Sequence, residues 1–140
     1  MILRQRFLNC IGSCLLVLAA AAPATAEETS TGTATALDGG TLEINGARLT
    51  LWGIAAPDPL TAHGWSSQLY LKVAIATGPV GCRKKAPDRW QCQTAEGSDL
   101  GSLLIQTGQA RAADPYYQFE EDRARVAGVG VWSTAEQRGR

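Results

Sequence analysis

Asn45-Gly46 stands between two runs of alternating residues, and no other feature constrains the fold of this chain as much. Before it, Leu42 and Ile44 alternate with Thr41 and Glu43; after it, Leu49 and Leu51 alternate with Arg48, Thr50 and Trp52. A two-residue turn that matches the twist of its flanking strands needs positive φ at both central positions, which Asn and Gly tolerate best. Asp38-Gly39-Gly40 supplies an earlier turn, so three consecutive strands are expected from Ala34 until Pro57 and Pro59 stop the sheet.

The next segment reads two ways. Trp65, Leu69, Val73 and Ala76 have helical spacing, whereas Leu69, Leu71, Val73 and Ile75 alternate as a strand would. Gly78-Pro79 ends it. Two short runs around Cys82 and Cys92 follow, joined by Ala86-Pro87-Asp88 as a turn. Asp99 is placed to cap a helix through Leu100, Leu103 and Leu104, with Gly108 as its terminator, and a last helix is expected over Glu120 to Ala127, ahead of Gly130-Val131-Trp132. Glu27 to Thr33 reads as a loose, Thr-rich lead-in and residues 134–140 as a frayed polar tail. The expected fold class is mainly β with helices, a five-stranded barrel of the OB type with about three helices.

Residues 1–26 read as a secretory signal peptide: Arg4 and Arg6 precede an apolar run from Leu15 to Ala22, and Ala24-Thr25-Ala26 is an A-x-A cleavage pattern. An uncleaved anchor is the alternative, though the run is short for a bilayer span. Cys14 lies in a faint lipoprotein-like box, but ahead of the apolar run instead of after it. The whole chain has 13 basic and 13 acidic side chains, and Arg4 and Arg6 leave with the leader. The balanced charge argues against a general nucleic-acid binder, the chain left after cleavage is slightly acidic, and no transmembrane segment is expected in it. It keeps Cys82 and Cys92, an even pair in an oxidising compartment, expected to be bonded to each other. The expected location is periplasmic or secreted.

A series of motifs, in order along the chain, resembles the staphylococcal-nuclease-like (thermonuclease) family: Ala36 to Leu42 (ALDGGTL), Leu49 to Asp58 (LTLWGIAAPD), Gly78 to Cys82 (GPVGC), Gly97 to Leu104 (GSDLGSLL), Gly108 to Ala110 (GQA) and Glu121 to Trp132. The resemblance covers residues 27–133 as one domain. It implies an OB-type barrel with three helices, makes the segment near Leu69 a helix, and in many exported members brings a Cys pair on the fourth and fifth strands.

It also implies where chemistry should sit. Active members are calcium-dependent phosphodiesterases. Calcium wants several hard oxygen ligands, arginines must spread the charge of the transferring phosphoryl group, and a carboxylate must position the attacking water. Carried over position by position, the first metal ligand falls on Gly40, the first arginine on Thr50, the second metal ligand on Ala55 and the neighbouring threonine on Ala56. The general base becomes Asp58, one methylene shorter. The run holding the second arginine is a shortened Asp88-Arg89-Trp90-Gln91-Cys92. Arg48 lies on the face of Thr50 but roughly 6.5 Å along the strand, and Arg89 can stand in only if the hairpin re-aims it. The reading is of a homologue without nuclease chemistry and without an expected cofactor, acting as a binding module for an envelope protein or an anionic polymer. A weak or rerouted phosphodiesterase and an accessory role in envelope or exopolysaccharide assembly are the alternatives.

The remaining candidates are Asp38, Thr41 and Asp58 as a residual cleft, and Arg83, Lys84, Lys85 and Arg89 as an anionic-ligand patch. His63, the one histidine, reads as a helix-entry residue. All four tryptophans, Trp52, Trp65, Trp90 and Trp132, read mostly as packing residues, with Trp90 beside Arg89 the best candidate for a stacking surface if single-stranded nucleic acid is bound.

Overall fold

A computed structural model describes residues 20–133; most of the leader and all of the polar tail lie outside the described residues. Asn45 and Gly46 adopt φ of 52° and 77°, and the turn they make joins β3 (Thr41–Ile44) to β4 (Ala47–Leu51), with Ile44 opposite Ala47 and Thr41 opposite Thr50. The Asp38 turn joins β2 (Ala34–Ala36) to β3 in the same antiparallel sense. Alternation then does what it must: Leu42, Ile44, Leu49 and Leu51 all face inward and are buried.

The lead-in is not loose. Thr29–Gly32 forms β1, antiparallel to β6 (Val80–Ala86), from Thr29 opposite Arg83 to Gly32 opposite Val80. Both faces of β1 are polar, so no alternation announced it, but β-branched threonines suit a pleated edge. Only Thr33 separates β1 from β2.

β6 folds back through Pro87-Asp88 to β7 (Arg89–Gln93), with Cys82 opposite Cys92 and the two bonded at 2.04 Å. β7 then lies parallel to β4, placing Thr50 beside Arg89 and Leu51 beside Trp90. The ladder order is β1-β6-β7-β4-β3-β2; β5 (Ile54–Ala55) pairs separately with β8 (Arg111–Ala112). Among the described residues the fold is mixed α/β, with three α-helices beside a six-stranded and a two-stranded sheet, and not mainly β as expected. Eight strands form instead of five because the lead-in pairs and two two-residue strands make the small second sheet.

The ambiguous segment is a helix, α1 (Ala62–Ala74), whose N-cap Thr61 accepts a 3.1 Å bond from Gly64 N. The inward face, however, is Gly64, Ser67 and Leu71, not the stripe with the clearest periodicity: Trp65 and Val73 are each 66% exposed. Gly64 must face inward because any Cβ there would overlap the Asp58 carbonyl. The reading of Trp65 as a packing residue is thereby corrected.

Asp99 caps α2 (Leu100–Gln106), accepting from Ser102 N at 3.0 Å. Its carboxylate also accepts from the Tyr117 hydroxyl at 2.9 Å and from Gln91 Nε2 at 2.6 Å. Tyr117 is fully buried, and burial, together with the Asp99 charge beside it, pushes its phenol well above the ordinary value. After α2, Gly108 turns with φ of 70°, close enough to Gly130 that a Cβ would run into the Val129 carbonyl. There Val131 N donates to Gly108 O at 2.9 Å, fastening the end of α3 (Gln118–Ala127) to the end of α2. Trp132 is buried in that joint, with the Arg111 and Arg125 guanidiniums 4.5 and 4.3 Å from its ring centre. Among the described residues, no helix is long and apolar enough to cross a membrane.

Candidate functional site

The Asp38 turn, the end of β4, β5 and the Pro57–Pro59 stretch enclose a cleft of about 490 Å³. Its wall brings together the sequence-predicted positions: Gly40, Thr50, Ala55, Ala56 and Asp58, with Asp38 and Thr41. Residues spread over the chain from Asp38 to Arg89 meet here because β4 is central, with β3 on one side and β7 on the other. Thr41, Thr50 and Arg89 consequently stand in one row across three adjacent strands.

Two carboxylates reach this cleft, and both hold turns. Asp38 Oδ1 accepts from Gly40 N at 2.7 Å. Asp58 Oδ1 accepts from Leu60 N at 2.9 Å, while the Asp58 carbonyl accepts from Thr61 Oγ1 at 2.6 Å at the entrance to α1. Gly40 is buried, and a Cβ built on it would come 3.0 Å from the Ala56 Cβ. Packing thus leaves little room for a side chain at that position. Calcium takes six to eight oxygen ligands, with carboxylates prominent among them. Gly40 and Ala55 offer no side-chain oxygen, and among the described residues no group of three or more His, Cys, Asp or Glu could hold a metal ion. The residues present do not fit the ion that the resemblance implies.

Arg89 lines the cleft and stands in register beside Thr50. Its side chain is exposed and makes no hydrogen bond or ion pair with another described residue. Arg48 stays outside, opposite Glu43 on the solvent side of the β3–β4 pair. His63 is in the first turn of α1 and does not line the cleft.

The basic cluster does not form one patch. Arg83 lies 3.5 Å from Glu27 and donates to Gln91 Oε1 at 3.2 Å, and Lys84 lies 2.9 Å from Glu28. Both ion pairs are solvent-exposed and add little stability, but they neutralise two of the four cations. Lys85 is different. A bulge between Lys84 and Ala86 in β6 turns it toward β4, where its Nζ lies 5.1 Å from the centre of the Trp52 ring.

Trp90 is not the stacking surface. It is 9% exposed and packs in the core beneath Lys84. The aromatic pair nearest the cleft is Trp52 with Tyr116, their centroids 5.6 Å apart and both backed by Tyr117. Tyr116 is 63% exposed. Sequence reasoning missed this pair, for which the signal was Pro115-Tyr116-Tyr117, where a fixed proline φ starts a tight turn that buries Tyr117 and leaves Tyr116 exposed.

No family model matches the chain. It is 29% identical over 142 residues to the succinoglycan biosynthesis protein ExoI of Rhizobium meliloti (strain 1021), an alignment covering 87% of this chain and 74% of that protein.

Proposed function

We propose that this chain is an exported, non-hydrolytic binding module built on a nuclease-like OB fold, acting in the assembly of an exopolysaccharide outside the cytoplasm. One observation carries the reading. The positions at which the resembled family keeps its metal ligands and first arginine converge on a single cleft, where they are now Gly40, Thr50, Ala55 and Ala56. A phosphodiesterase site loses most of its rate with each charge-stabilising group removed, about 10²–10³ for one such donor. Arg89 spreads charge but generates no nucleophile.

The remaining parts of the proposal are supported as follows. β1 and β2 are separated by one residue, so counting them as one bent strand gives the six-stranded sheet five strands, with β4 and β7 as the parallel pair, in the ring order of a small Greek-key barrel. The Cys82–Cys92 bond suits an oxidising compartment, the periplasm or the exterior. The likeness to a protein of succinoglycan biosynthesis favours exopolysaccharide assembly among the accessory roles.

The test is cleavage of single-stranded DNA by the oxidised protein, with calcium and with a chelator. No cleavage above a mock-purified control is expected at micromolar protein. Chelator-sensitive cleavage would remove the proposal in favour of a rerouted phosphodiesterase.

A further inference from the structure

We propose that the cleft and the aromatic shelf of Trp52 and Tyr116 beside it form one subsite for an acidic sugar, with the exposed Tyr116 under the sugar ring and Arg89 and Lys85 on its carboxylate. This rests on the exopolysaccharide reading above and names the ligand class of the same site.

The two features share one surface. Thr50 and Trp52 are two residues apart and so point to the same side of β4, opposite to buried Leu49 and Leu51. The ladder runs on past β4, because Trp52 N donates to Trp90 O at 2.8 Å. Arg89 is the register partner of Thr50 on that side, and the bulged Lys85 reaches over Trp52 from the next strand. Polar and aromatic groups therefore form a continuous strip from the cleft to the shelf, with Tyr116 as its exposed end.

The chemistry of the strip selects among ligands. The cleft holds two acceptor-only carboxylates, Asp38 and Asp58, beside the one guanidinium of Arg89, and a DNA backbone has no hydroxyl to donate to them. A uronic-acid unit carries a single carboxylate, which a guanidinium can grip with two parallel hydrogen bonds. Its hydroxyls can donate to Asp38 and Asp58 and exchange hydrogen bonds with Thr41 and Thr50. Its flat C–H face suits an aromatic shelf, where a large amphipathic ring gives contact area at low entropy cost.

The experiment is calorimetric titration of the oxidised protein, expressed from its full sequence, with three probes: a galacturonic acid hexamer, the same hexamer with its carboxyls reduced, and a twelve-residue oligo-dT. The expected result is binding of the acidic hexamer, at least about tenfold weaker binding of the reduced one, and no tighter binding of oligo-dT. Arg89→Ala should cost at least about tenfold toward the acidic hexamer, the usual scale for a charge-assisted pair, and little toward the reduced one. Tyr116→Ala should weaken both hexamers alike. Both side chains are exposed, so an unchanged melting temperature checks that each variant is folded.

Equal affinity for the two hexamers would overturn the role of Arg89, and tighter oligo-dT binding would overturn the ligand class. Absence of hexamer binding at millimolar ligand would overturn the subsite. In each case the DNA-cleavage assay reports separately on the non-hydrolytic reading.

Discussion

Tyr117→Phe isolates a single hydrogen bond at the base of the site. The phenol is fully buried, and its oxygen lies 2.9 and 3.1 Å from the two oxygens of Asp99. Phenylalanine keeps the ring contacts with Trp52 and Tyr116 and removes only the donor. Asp99 is not orphaned, since Ser102 N and Gln91 Nε2 still serve it. The cost is therefore that of one bond to a charged acceptor without a stranded ion, about 2 kcal/mol, or a fall of about 10 °C in melting temperature for a domain of this size. A second signature is the pH dependence. The folded phenol titrates above the unfolded value, so its contribution is complete below about pH 10 and declines as pH rises further, where only the unfolded state releases the proton. Thermal melts followed by circular dichroism between pH 7 and 11 should show an alkaline decline in the parent protein that is shallower in Tyr117→Phe. A drop of less than 2 °C at neutral pH, or an identical alkaline decline, would refute the assignment of that bond.

Two further outcomes follow from the packing. Replacing Cys82 and Cys92 together by Ala opens a short loop between neighbouring strands, and should lower stability by about 2–3 kcal/mol in urea titration, with reduction of the parent protein giving a similar loss. Gly108→Ala should cost more than 2 kcal/mol, since it combines a positive φ with a clash against the Val129 carbonyl; matched urea titrations of the variant and parent proteins measure it.

Local chemistry made much of the fold legible. The Asn45-Gly46 turn, the Asp99 cap, the Gly108 stop and the cysteine pair each act over a few residues or through one bond, and each occurs where the residues indicate. Where two local signals compete, the sequence is silent. α1 carries one stripe of large apolar residues and another of Gly64, Ser67 and Leu71, and the second faces inward because only glycine fits against the Asp58 backbone. β1 was hidden for a related reason: its partner, not its pattern, makes it a strand. Which positions form the cleft could be listed from the resemblance, but the part played by Arg89 depends on a parallel pairing of β4 with β7 across more than thirty intervening residues. The bulge that re-aims Lys85 likewise exists only once β6 and β7 have paired. The trio of Tyr117, Asp99 and Gln91 joins three elements that nothing local connects.

β1 and β6 set a timetable. A chain is delivered from its N-terminus, in synthesis and in export alike, and β1 emerges ~50 residues before the strand that will complete it. During that interval it has to remain exposed without finding a wrong neighbour. Its composition suits the wait: threonine, serine and glycine give no apolar face to bury, and Glu27 and Glu28 add like charge against a second copy of the same edge. When β6 arrives, Arg83 and Lys84 bring the opposite charge to those two glutamates and mark where the strand belongs. This long-range seam of the sheet is thus addressed by charge, and the residues that make it inert while it waits also make it selective when it closes.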